Sequence, residues 1–115
     1  MTMNNYSLVL NSTAEENGTG LKVDLLNVKK AALVLRAVNH KLRQQILKQI
    51  DENGKITVTE LYVKLRLEQS VASQHLAILR KAGFVKTDRE GKFIYYSVNT
   101  DRINDLNRFM EQLLN

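Results

Sequence analysis

Apolar residues recur at helical spacing along most of this chain and switch to alternate positions in one short stretch. Between Leu21 and Val38, twelve of eighteen residues are apolar. Leu25, Val28, Ala32 and Leu35 form one stripe, and Leu26, Leu33 and Ala37 widen it. The pattern predicts a helix whose apolar face is too broad to be covered from one side. A second helix is expected over residues 40–52, with Asn39 as its N-cap and Asn53-Gly54 as its stop. Leu42, Ile46, Leu47 and Ile50 make its inner face, and Arg43 and Lys48 are expected to look outward.

Thr57-Val58-Thr59-Glu60 reads as a capping box, in which hydroxyl and carboxylate satisfy each other's backbone amides. It opens a short helix with Leu61 and Leu65 inward. The turn Arg66-Leu67-Glu68 follows, then a helix over residues 69–82 stopped by Gly83. From Phe84 the period changes. Residues 84–88 and 92–98 read as a β-hairpin around the turn Arg89-Glu90-Gly91, with Tyr96 and Val98 inward and Tyr95 outward. Thr100-Asp101 starts a last helix with Ile103, Leu106, Met110 and Leu113 on one stripe and Phe109 beside it. Residues 1–20 are polar and end Asn17-Gly18-Thr19-Gly20. They read as a mobile tail with a short extended piece at residues 6–10, which leaves residues 21–115 as the folded domain.

A short capped helix, a tight turn, a second helix and a hairpin make a winged helix-turn-helix. The expected fold is mainly α with a small β-hairpin wing. The first and last helices both carry apolar faces in need of cover; the first can cover the last from the same subunit or from another, so a dimer through these helices is the expected arrangement and a monomer with a central first helix the other reading. Leu25, Val28, Leu35, Leu106, Phe109, Met110 and Leu113 would lie in that interface.

Composition narrows the function. The chain has 115 residues, enough for one core, and no Cys, Pro or Trp. Without cysteine there is no disulfide, thiolate metal site or thiol nucleophile. His40 and His75, the two histidines, are far apart in sequence and make a poor metal site, so neither a metal nor another cofactor is expected. No apolar run reaches the ~20 residues of a membrane span, and the start lacks the basic residues of a signal peptide, so a cytoplasmic protein is expected. No nucleophile–base pair or phosphate-binding Gly loop suggests an enzyme. The net charge is +5, concentrated as +6 in residues 21–50 and +3 in residues 69–92. Double-stranded DNA is the partner that this distribution suits.

The helix over residues 69–82 would then read the major groove. Ala72, Leu76 and Leu79 form its inner stripe. At 100° per residue the outer face holds Ser70, Gln74, Ala77 and Lys81, with Ser73 on its flank, Arg80 on the same exposed side and Gln69 at the start. Gln74 can pair bidentately with adenine, Ala77 can meet a thymine methyl, and Lys81 suits a phosphate. His75 falls on the inner flank, where a structural or phosphate-positioning role fits better than base reading. On the wing, Arg89 and Lys92 are candidates for phosphate or minor-groove contact.

These residues carry a resemblance. Glu60 through Leu65, Gln69 through Val85 with its Ser73-Gln74-His75-Leu76, and Glu90-Gly91-Lys92 through Tyr96 are similar to the ArsR/SmtB-type winged-helix repressors of bacteria. The resemblance covers about residues 30–114. It implies a homodimer that represses transcription from a partly palindromic operator, with Ser70, Ser73, Gln74 and His75 reading or positioning. Two departures stand out. Tyr62-Val63-Lys64 replaces the Cys-x-Cys of metal-sensing members. Ile103 follows Asp101 where zinc sensors have a histidine, and Leu114 stands near their later one. The metal-sensing chemistry is therefore missing, leaving an unidentified small molecule, a protein effector or the protein's own concentration to regulate it. A winged helix that binds only proteins is the alternative reading.

Overall fold

The computed structural model describes residues 6–11 and 20–115. The chain divides into two compact units, Met1–Leu35 and Arg36–Asn115. In the first, β1 (Ser7–Leu10) pairs antiparallel with β2 (Leu21–Asp24), with Ser7 opposite Asp24 and Leu10 opposite Leu21. The extended piece expected at residues 6–10 is thus a strand. The rest of the expected tail, apart from Asn11 and Gly20, lies outside the described residues.

Helix α1 (Leu25–Val38) starts four residues later than its apolar pattern suggests. Leu21-Lys22-Val23-Asp24 alternates with period 2 and is taken by the pairing with β1. Asp24 then caps the helix: its Oδ1 accepts from the amides of Leu26 and Asn27 at 3.0 and 3.1 Å. The Leu25 amide donates to the Tyr6 carbonyl. Within α1, Leu25 and Leu35 are half-buried while Leu26, Val28 and Leu33 are exposed.

The second unit continues with α2 (Lys41–Asn53), β3 (Ile56–Thr57), α3 (Val58–Leu65), α4 (Gln69–Lys81), β4 (Val85–Glu90), β5 (Phe93–Val98) and α5 (Thr100–Leu114). Its core is Ala37, Ile46, Ile50, Ile56, Leu61, Ala72, Leu76, Leu79, Ala82, Phe84 and Val85. The N-cap of α2 is His40, not Asn39: its backbone is extended and its Nδ1 accepts from the Arg43 amide at 3.4 Å. Arg43 does not look outward but is buried. It stands three residues before Ile46 and seven before Ile50, which places it on their stripe.

The capping box at Thr57 forms as expected. The Thr57 amide donates to Glu60 Oε1 at 3.0 Å, and the Glu60 amide donates to Thr57 Oγ1 at 3.2 Å. These bonds favour the charged carboxylate and hold Glu60 below its ordinary value of 4.5.

The sheet is antiparallel in the order β3-β5-β4. The strand β3 is too short to show in the sequence pattern; it sets Ile56 opposite Tyr96 and Thr57 opposite Tyr95. Glu90 faces Phe93, so the hairpin loop is Gly91-Lys92 rather than Arg89-Glu90-Gly91. Gly91 has φ 63, which a two-residue hairpin loop needs at its first position. Arg89 consequently lies in β4, opposite Ile94. Tyr95, expected outward, is half-buried like Tyr96.

Asn99 caps α5, accepting at its Oδ1 from the Arg102 amide at 3.4 Å. No residue of α5 is buried; Leu106 and Met110 are half-buried, while Phe109 and Leu113 are exposed.

Candidate nucleic-acid interface

The turn between α3 and α4 needs a left-handed residue, and Arg66 provides it at φ 56. Among the described residues it is the only non-glycine with positive φ. The Leu67 amide bonds the Tyr62 carbonyl at 2.9 Å, which closes α3 and redirects the chain into α4.

Helix α4 has a buried apolar stripe and an exposed face, with Ile78 also exposed. Ala72, Leu76 and Leu79 are sealed in the core. Gln69, Ser70, Ser73, Gln74, Ala77, Arg80 and Lys81 are all exposed. The structure therefore gathers the expected reading residues on one outward surface, where amide, hydroxyl, methyl and cationic groups are available to base edges and phosphates.

On the wing, Arg89 and Lys92 are both exposed. The Glu90 carboxylate, which would offset them, is engaged: Lys55 Nζ bonds its Oε2 at 2.5 Å. That bond raises Lys55 above its ordinary 10.5, and the same ammonium lies 4.8 Å from the centre of the Tyr95 ring. Sequence reading missed Lys55, because its partner lies thirty-five residues away on another element.

His75 and His40 do not stay apart. Their ring centroids are 5.0 Å from each other. Arg43 joins them: its Nη1 lies 3.2 Å from His75 Nδ1, its Nε donates to the Ala37 carbonyl at 2.7 Å, and its Nη2 donates to the Arg36 carbonyl at 3.1 Å. Burial, the neighbouring His40 and the Arg43 charge together hold His75 below the ordinary imidazole value of 6.5. Sequence reading missed Arg43 as well, although its i, i+3, i+7 spacing with Ile46 and Ile50 was a usable signal.

Comparison with known proteins decides what this arrangement belongs to. The family described as bacterial regulatory protein, arsR family, matches residues 40–87, which hold α2, α3, α4 and the start of the wing. A helix-turn-helix transcriptional regulator of Methanocaldococcus jannaschii is 36% identical over 84 residues, covering 73% of this chain and 94% of that one. This chain belongs to the ArsR family. It is also similar to the transcriptional activator HlyU of Vibrio cholerae, 34% identical over 87 residues, which cover 76% of this chain and 80% of that one. The crystal structure of the repressor PagR of Bacillus anthracis is similar at a TM-score of 0.60 and 28% identity, covering 76% of this chain and 99% of that one. As an ArsR-family protein, this chain is a DNA-binding transcriptional regulator with a winged helix-turn-helix. Among the described residues, no helix is long and apolar enough to cross a membrane.

Proposed function

We propose that the protein represses transcription in the cytoplasm by binding a partly palindromic operator as a homodimer, without catalysis or a cofactor. The observation that carries this reading is the two-sided character of α4: a sealed apolar stripe, and an exposed face of Ser70, Ser73, Gln74 and Ala77 ending in Arg80 and Lys81. Gln74 reads a base, Ala77 allows close approach, and Gln69, Ser70 and Ser73 serve bases or phosphates. Arg80, Lys81, Arg89 and Lys92 bind phosphates, and His75 positions. DNA binding and dimerisation belong to residues 21–115. Repression follows PagR's named role and needs only that the bound dimer occlude a promoter.

The test uses duplexes that the protein itself selects from a random-sequence pool. Affinity should fall linearly with salt on logarithmic axes, at a slope of about 0.9 per neutralised phosphate. Gln74→Ala should lower discrimination by about 1–3 kcal/mol at one base pair per half-site. Arg89→Ala should weaken all sequences alike and reduce the salt slope by about one. Equal, salt-independent affinity for selected and random duplexes would overturn the reading in favour of a protein-binding winged helix.

A further inference from the structure

The Arg43–His75 contact determines more than packing. A guanidinium only donates, so the ring nitrogen 3.2 Å from Arg43 Nη1 must accept. His75 Nδ1 therefore carries no proton, and in the neutral ring the proton sits on Nε2. Arg43 is itself fixed, because its Nε and Nη2 are tied to the carbonyls of Ala37 and Arg36. The His40 ring closes the same cluster from the loop before α2, and its own Nδ1 also accepts, from the Arg43 amide. Two histidines and one arginine thus form a unit in which both imidazoles are held with Nδ1 bare.

The other nitrogen of His75 is left to act. Its Nε2 has no hydrogen-bond partner among the described residues, and no unpartnered side-chain nitrogen or oxygen of a residue at this level of burial is sealed from solvent. His75 follows Gln74 in the sequence and lies half-buried on the inner flank of α4, at the border with its exposed face. A neutral N–H donor at the edge of a groove-reading helix suits the DNA backbone, where contacts set register and orientation rather than sequence.

We infer that Arg43 is a positioning residue for DNA binding: it fixes His75 in the Nε2–H tautomer and so presents a neutral donor from α4 to an operator phosphate. This inference rests on α4 being the reading helix. The groups that face His75 are His40, from the loop before α2, and Arg43, from α2; both oppose a second proton on the ring. The donor therefore stays uncharged through neutral pH, and the contact releases no counterion.

That last property separates it from a lysine or arginine contact. Removing a neutral donor weakens binding at every salt concentration by the same factor, whereas removing a cation also flattens the salt dependence. On a duplex selected by the protein from a random pool, His75→Ala should lower affinity about tenfold with the salt slope unchanged. His75→Gln, whose amide can donate from near the Nε2 position without help from Arg43, should recover most of that loss. Arg43→Lys should weaken binding in the wild-type background and have little further effect in the His75→Gln background, which is the signature of two residues acting through one contact. Nitrogen-15 correlation spectra of the free full-length protein should show His75 as the Nε2–H tautomer, and a mixture of tautomers in Arg43→Lys.

Wild-type affinity for His75→Ala, or an Nδ1–H tautomer in the wild type, would overturn the inference. Gln74→Ala serves as the control on the underlying reading. If it loses discrimination while the His75 variants bind normally, only the role of Arg43 and His75 fails. If it too is silent, α4 is not the reading helix and both fall together.

Discussion

The guanidinium of Arg102 occupies the space that a side chain on Gly83 would need. Its Nε lies 3.1 Å from the position of a Cβ there and donates to the neighbouring Ala82 carbonyl at 3.0 Å. Asn99 Nδ2 bonds the Gly83 carbonyl at 2.9 Å, and the Asn99 amide bonds the Phe84 carbonyl at the same distance. The end of α4, the start of the wing and the cap of α5 are locked around one glycine.

Gly83→Ala should therefore be costly in two ways. The residue has φ 88, which strains any side chain, and Arg102 would have to leave its carbonyl. The backbone cost alone is about 1–2 kcal/mol. Urea unfolding should show a lower midpoint with an unchanged slope. An unchanged midpoint would mean that this junction is free to rearrange.

The capping box predicts an acid-dependent loss of stability. Glu60 is held below its unfolded value of 4.5, so its contribution is complete above that value and disappears as pH falls through the lower folded one. Thermal melts of wild type and Glu60→Ala should differ at neutral pH and converge in acid. Thr57→Ala, which removes the cap itself, should cost about 1 kcal/mol at neutral pH.

The proposed dimerisation is tested by mass, and the part given to α5 by substitution. Phe109 and Leu113, four residues apart on α5, are 43% and 65% exposed in the single chain, an apolar pair that a second chain would cover. Light scattering at micromolar concentration should give the mass of two chains. A Phe109→Asp, Leu113→Asp double variant should give the mass of one while keeping its helical circular dichroism. A wild-type monomer would count against the dimer.

Arsenite, antimonite and zinc should leave operator affinity unchanged, judged against a chelator control. The first two seek thiolates, and the chain has no cysteine. For zinc, the two imidazoles that come together are a poor start: each Nδ1 is already engaged by Arg43, whose positive charge repels a cation. A tenfold fall in affinity at low micromolar zinc would refute this and identify His40 or His75 as a ligand.

The order of elements from α2 onward was legible because each helix has its own stripe and its own stop. The α4 surface was legible for the same reason: Ala72, Leu76 and Leu79 at helical spacing define both faces at once. What escaped were relations between distant residues. A charge is ordinarily solvated, which points Arg43 outward on sequence alone, and only its partners at Ala37, Arg36 and His75 offset the cost of burying it. The two residues of β3 are too few to show alternation, and their pairing depends on β5 forty residues on. The hairpin loop is two residues, Gly91-Lys92, rather than the three from Arg89 to Gly91, because Gly91 can serve at several turn positions and strand register decides among them.

Thr57 belongs to two structures at once. It is the last residue of β3, opposite Tyr95, and the cap of α3. The base of the wing and the start of the helix-turn-helix therefore share a residue and have no linker between them. The spacing between wing tip and reading helix becomes a fixed dimension, like the gap of a calliper. Its entropy is lost when the chain folds, so less ordering remains to oppose the encounter with DNA. With α4 and the wing contacting DNA as proposed, a duplex whose grooves do not match that gap must bend to fit, and DNA flexibility then enters the choice of site alongside base contacts.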